Sequence, residues 1–195
     1  MLHFLAQVLA WARYSGAMQK RDSLPDLWLI SDARNDAALE DALRVLPPQS
    51  GFVFRHYHLA PQERLARFAE LTRIARTRGH CVILADSALT AREWEADGIY
   101  GAPLSLTPRR ADLIQIATAH NLRELGQANR IGADAVMLSP VFPTRSHPGS
   151  QTLGPLRFRQ LARHAQMPVI ALGGMTQRGA DRLQWPRWAA IDGLC

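Results

Sequence analysis

Hydrophobic positions along the chain fall into short runs separated by stretches of helical spacing. The runs Leu27–Ser31, Gly51–Arg55, Cys81–Ala85, Gly98–Gly101, Leu113–Ala117, Ala133–Ser139, Pro168–Leu172 and Trp188–Ile191 read as strands. Between them, apolar residues recur every three or four positions over Asp36–Leu46, Pro61–Thr77, Ala88–Glu95, Asn121–Ile131, Pro155–His164 and Arg178–Gln184, the spacing of amphipathic helices. Only Pro108–Ala111 is too short for more than one turn. Strands alternating with helical crossovers predict an α/β fold with a parallel sheet. Closing that sheet leaves no exposed edge, so the expected architecture is a single (β/α)8 TIM-type barrel. Residues 1–24 precede it as an N-terminal helical extension, and 25–195 form the barrel.

Composition narrows the reading. The chain has 195 residues, enough for one domain with a full core, and is 47% hydrophobic and 21% charged, as ordinary globular domains are. It has no uninterrupted apolar run of ~18 residues, so no membrane span is expected. The first ten residues resemble a secretory leader but lack a basic start, and Trp11, Arg13 and Tyr14 interrupt them; a cytoplasmic protein is expected. Cys81 and Cys195 argue against a disulfide framework or a zinc site. The formal net charge is +6, from 23 basic residues of which Lys20 is the lone lysine. Arg64, Arg67, Arg73, Arg76 and Arg78 read as a solvated helix face, so nucleic acid is not expected as a partner. Lys20 precedes the first strand, which excludes Schiff-base aldolase chemistry on a strand lysine.

In such barrels the loops after the strands carry the chemistry. Three segments stand there. Ala171-Leu172-Gly173-Gly174-Met175 runs a strand into paired glycines, whose N–H groups can meet phosphate oxygens or simply make a turn. The loop from Pro140 to Gly154 gathers Thr144, Arg145, Ser146 and His147 between prolines, either as diphosphate donors or as a stiffened surface loop. His120 closes Ile116-Ala117-Thr118-Ala119-His120, as a general acid/base or as a structural histidine at a helix start. His56 and His58 do not read as a metal pair: with Arg55 pointing into the mouth, alternation turns both away. Asp36, Glu40 and Asp41 read as a solvated helix start with Asn35 as its cap.

These segments together resemble the thiamine phosphate synthase / thiazole tautomerase family. The resemblance runs from about Leu27 to the end and rests on Leu27–Asp32, Phe54-Arg55, Ala96–Ile99, Thr118–His120, Gly132–Val136, Ser139–Thr144 and Pro168–Thr176. It implies a (β/α)8 barrel and small phosphorylated substrates. The synthase couples hydroxymethylpyrimidine diphosphate to thiazole phosphate and releases diphosphate with Mg²⁺. The tautomerase moves a proton without metal. A non-catalytic phosphate-binding relative is a third option, and self-association into a homo-oligomer is left open. Carried over by position, the resemblance gives catalytic roles to Arg55, His120 and His147. It gives substrate and phosphate contacts to Thr118, Thr144, Arg145, Ser146, Gly173 and Gly174, and a magnesium ligand to Asp86. All are expected around one pocket. The chain departs from the synthase pattern elsewhere. Val53 and Tyr57 flank the arginine of strand two in place of glutamine and lysine, Ser105 stands for the second carboxylate ligand, and His147 for a lysine. Weak Mg²⁺ dependence follows. The resemblance also leaves no eighth helix and no phosphate-binding residue after strand eight. Leu2, Leu5, Leu9 and Ala12, broadened by Phe4, Val8 and Trp11, form an apolar helix face, so residues 3–14 are expected in the eighth-helix slot.

Overall fold

A computed structural model describes residues 24–145, 149 and 151–195. The expected helix over residues 3–14, together with Ser146 and His147, lies outside the described residues.

The strands are β1 (Leu27–Ile30), β2 (Gly51–Phe54), β3 (Cys81–Leu84), β4 (Gly98–Gly101), β5 (Ile114–Ala119), β6 (Ala135–Leu138), β7 (Val169–Ala171) and β8 (Trp188–Ala190). They pair in chain order, all parallel, and the barrel closes through Leu27↔Trp188, Trp28↔Ala189 and Leu29↔Ala190. Around them lie α1 (Leu39–Val45), α2 (Pro61–Thr77), α3 (Ala88–Glu93), α4 (Leu122–Ile131), α5 (Gly154–Ala162) and α6 (Gln177–Leu183). Short 3-10 turns occupy Asp36–Ala38, Pro103–Leu106 and Asp192–Leu194. The expected barrel is thus present. The turn between β4 and β5 falls at Pro103–Leu106, however, ahead of the expected Pro108–Ala111.

Strand alternation divides the core in two. Trp28, Ile30, Val53, Ile83, Ile116, Met137 and Ile170 fill the barrel. Leu29, Phe52, Phe54, Leu84, Val136 and Leu138 point outward against Leu43, Phe68, Leu71, Leu125 and Phe158 of the helical layer. Both faces are buried, which is why the strands read as continuous apolar runs. The helices start where side chains can satisfy their free N–H groups. Ser87 accepts from Thr90 N at 3.1 Å, Asn121 from Glu124 N at 2.9 Å and Thr176 from Gly179 N at 3.1 Å. No helix among the described residues is long and apolar enough to cross a membrane.

Two surface readings are corrected. Asn35 makes no cap bond to the 3-10 turn. Its Oδ1 accepts from Asp32 N at 2.8 Å, and its Nδ2 donates to Ile30 O and Ile191 O, lacing the ends of β1 and β8. The arginines of α2 are not simply solvated. Arg64 is buried, Arg67 binds Asp36, Glu40 and Glu70, and Arg76 binds Asp97. Arg67 bridges to the neighbouring 3-10 turn and α1 through Asp36 and Glu40, and Arg76 reaches Asp97 just ahead of β4. Asp36 and Glu40 are therefore ion-paired rather than free at a solvated helix start.

His56 is part of that lacing. It is buried, stacks on Phe54 with ring centroids 4.7 Å apart, and adopts φ 34°. Nδ1 meets Ser31 Oγ at 2.7 Å and Nε2 meets Asp36 Oδ1 at 2.8 Å. Both nitrogens are occupied, so His56 and His58 make no metal pair. Burial lowers the pKa of His56 despite the opposing Asp36 carboxylate, with His58 and Arg67 adding to the depression. Burial also lowers that of His80, against its bond to the Leu43 carbonyl. Depressed native values mean that the unfolded chain takes up protons first. Their stabilising contribution is complete above the unfolded value of about 6.5 and is lost as pH falls through the folded values. Denaturant midpoints are therefore expected to be lower at about pH 5 than at pH 7, with a flatter pH dependence in His56→Gln and His80→Gln.

Candidate active site

A cavity of about 780 Å³ opens at the C-terminal ends of the strands. It lies over the β4–β8 side of the barrel and reaches across to Arg55 at the end of β2. Its wall is built by Tyr100 of β4, Thr118 of β5, His120, the segment after β6 from Ser139 to Arg145, Leu172 to Thr176 after β7, and Ala190 to Gly193 after β8. Of the expected site residues, Arg55, Thr118, His120, Thr144, Arg145, Gly173 and Gly174 share this one cavity.

Arg55 enters from β2 through a fixed backbone. Its N–H donates to Ser31 Oγ at 2.8 Å, and Nη2 donates to Asp32 Oδ2 at 2.6 Å. Its Nε is buried and has no hydrogen-bond partner among the described residues. The Arg55 side chain is 23% exposed where it lines the cavity, and a ligand meets the guanidinium from that side. Arg34 holds the other oxygen of Asp32 at 2.8 Å and reaches Asp192 at 3.5 Å. Burial and these bonds compete at Asp32; the bonds from Arg34 and the charge of Arg55 outweigh burial and lower its pKa.

Thr118 lies within β5, one turn of the pleat later than the expected strand end, with Oγ1 donating to Gly101 O at 3.4 Å. His120 is exposed on the rim. Its Nδ1 lies 3.0 Å from Ser139 O and 3.2 Å from Ser139 Oγ. A neutral ring donating from Nδ1 to that carbonyl leaves Nε2 as the basic nitrogen.

The glycine pair is required by close packing. Gly173 and Gly174 have φ 91° and 63°, and a Cβ on them would lie 2.6 Å from Pro140 Cα and 2.3 Å from Pro143 O. The loop after β6 is seated on the end of β7, with Val141 N and Phe142 N donating to Leu172 O and Gly173 O. Gly174→Ala is expected to destabilise the protein by about 1–3 kcal/mol and to lift this loop from β7, which chemical denaturation would register.

Tyr100 was not foreseen as a site residue. It floors the cavity from inside the barrel, and burial pushes its hydroxyl pKa up to about 12. Strand alternation places it on the same face as Gly98, which was the available signal. Ile191, Asp192 and Gly193, after β8, also line the cavity, and none of them was among the expected site residues. A Cβ on Gly193 would lie 2.2 Å from Met175 O, so this glycine lets the end of β8 close against the segment after β7.

Asp86 is not in the cavity wall. Its Oδ2 accepts from Arg64 Nη1 at 2.5 Å, and its Oδ1 accepts from Ser87 N at 2.6 Å and Thr90 Oγ1 at 3.0 Å. Ser105, at the second carboxylate position, donates to Ala102 O at 2.8 Å. No group of three or more His, Cys, Asp or Glu side chains among the described residues could hold a metal. Residues with these engagements do not fit a magnesium centre at Asp86, and no chemical step below runs through one.

Comparison with known proteins agrees with this architecture. Residues 27–187 match the family model described as thiamine monophosphate synthase. The chain belongs to this family. Among curated relatives, the thiamine-phosphate synthase of Geobacillus thermodenitrificans is 32% identical over 70% of this chain and 63% of its own length. That of Chloroflexus aurantiacus is 29% identical over 65% of this chain and 62% of its own. The putative thiamine-phosphate synthase 2 of Aquifex aeolicus is 28% identical over 78% of this chain and 87% of its own. The chain thus spans less than two thirds of two of these three relatives. The solved thiamine phosphate pyrophosphorylase of Pyrococcus furiosus superposes with TM-score 0.70 at 23% identity, covering 88% of this chain and 87% of that one, and shares the fold.

Proposed function

We propose that this family member is a thiamine-phosphate synthase-type transferase acting in the rim cavity. One observation carries the reading: Arg55, Thr118, Thr144, Arg145 and the Gly173–Gly174 pair, brought from four separate strand ends, face one space. In the reaction the C–O bond between the pyrimidine methylene and the diphosphate breaks, and the electron pair leaves with the diphosphate. The thiazole nitrogen lone pair then forms the new C–N bond. Negative charge grows on the departing oxygen, so the catalytic need is for fixed donors around it. Arg55 and Arg145 supply positive charge there, while the threonine hydroxyls orient the phosphate groups. Tyr100 and Leu172 give the rings an apolar floor.

A second reading is supported by His120. With Nδ1 held at the Ser139 carbonyl and Nε2 left basic, it is suited to moving a proton on a thiazole carboxylate phosphate. One pair of assays separates the two. Thiamine phosphate formed from hydroxymethylpyrimidine diphosphate and thiazole phosphate supports the transferase. Proton exchange on the thiazole carboxylate phosphate, abolished in His120→Ala and unaccompanied by coupling, supports the tautomerase and overturns the first reading.

A further inference from the structure

Outside the cavity, α2 and the ends of β2 and β3 enclose a second group of charges. Arg64 is buried there, and all three of its nitrogens are engaged. Nε donates to Arg55 O at 3.1 Å, Nη2 to Ala85 O at 3.1 Å, and Nη1 to Asp86 Oδ2 at 2.5 Å. The guanidinium carbon lies 5.4 Å from the Trp94 ring centroid and 5.7 Å from those of Phe54 and Tyr57. Aromatic faces on this scale favour a cation and keep water from it. Asp86 is half-buried, and Arg64 supplies its carboxylate with a counter-charge that cannot dissociate.

We propose that the Arg64 guanidinium is a built-in cation at Asp86, occupying by covalent attachment the position that a dication would take, so that this chain binds diphosphate without a metal on Asp86. The same guanidinium holds the Arg55 carbonyl, so Arg64 also fixes the strand end that presents Arg55 to the cavity. Asp86 is then a structural anchor. Burial opposes its ionisation, but the bonds from Ser87 N, Arg64 and Thr90 outweigh that and keep its pKa below the ordinary value. The part of the proposal that concerns diphosphate rests on the function proposed above; the role of Arg64 at Asp86 does not.

The test uses the full chain. Mn²⁺ binding is titrated by electron paramagnetic resonance, and inorganic diphosphate binding by calorimetry in Mg²⁺ and in EDTA, for wild type and Asp86→Asn. Asparagine still accepts from Arg64, so the variant is expected to fold. Substitution should change each affinity by less than about twofold. In Arg64→Met, carboxyl ¹³C NMR should show the Asp86 pKa raised by about one unit or more. A Mn²⁺ site in the wild type that Asp86→Asn weakens beyond twofold overturns the proposal. So does diphosphate binding that Mg²⁺ strengthens in wild type but not in Asp86→Asn, or an Asp86 pKa unmoved in Arg64→Met. Failure of diphosphate to bind under any condition overturns the function proposed for the cavity, while the Mn²⁺ titration still decides the role of Asp86.

Discussion

Replacing Arg55 by methionine is expected to slow thiamine phosphate formation by about 10²–10³-fold, the usual cost of one fixed donor at a developing oxyanion. The Arg55 side chain combines a bond to Asp32, which fixes its aim, with a partly exposed surface on the cavity. A ligand oxygen arriving in the cavity therefore meets a guanidinium already oriented. The fold should survive, because Asp32 keeps Arg34 and the lacing of β1 to β2 runs through Ser31 and the Arg55 backbone rather than its side chain. Lysine should rescue little, since it cannot hold Asp32 and a phosphate oxygen in the same fork. Steady-state kinetics on Arg55→Met and Arg55→Lys, with circular dichroism to confirm folding, would check this. A loss confined to KM would mean that Arg55 binds the ground state and does not act on the leaving group.

The second large effect concerns the barrel interior. Trp28→Ala is expected to destabilise the protein by about 3–5 kcal/mol, a large part of the stability of a single domain. Trp28 is fully buried, and its Nε1 donates to Pro25 O at 2.7 Å. Its ring lies across Gly51, the neighbouring strand residue in register, where a Cβ would come within 2.1 Å of Cε3. Gly51→Ala should therefore be destabilising in the wild type and neutral or stabilising in Trp28→Ala. Denaturant unfolding of the four proteins gives the coupling between the two sites, and additive effects would contradict the packing described.

That pair shows where sequence reasoning ran out. Trp28 and Gly51 are unremarkable letters in their runs until the register sets one over the other. The strands themselves were legible because each is a short apolar run buried on both faces, and the barrel followed from their alternation with helices. The candidate site was legible where strand ends carry distinctive residues: Arg55, Thr118, His120, Thr144 and the glycine pair all line the one rim cavity. Asp86 was misplaced because its surroundings depend on Arg64, which lies on α2 and looks like any other arginine of a solvated helix face. Asn35 was misread for a similar reason. Its side chain reaches Ile191 O, far along the chain, and no local capping pattern reveals such a partner. Asp192 and Gly193 were missed because their reach into the cavity depends on how closely the end of β8 approaches Met175, which only the closed barrel determines.

The central claim is that the reaction takes place in the cavity over β4–β8, and it is tested most directly by a crystal structure grown with thiamine phosphate and diphosphate. The account expects the diphosphate against Arg55, Arg145 and the Gly173–Gly174 turn, with the pyrimidine ring above Tyr100. Well-defined ligand density elsewhere on the protein, with this cavity holding only water, would contradict it.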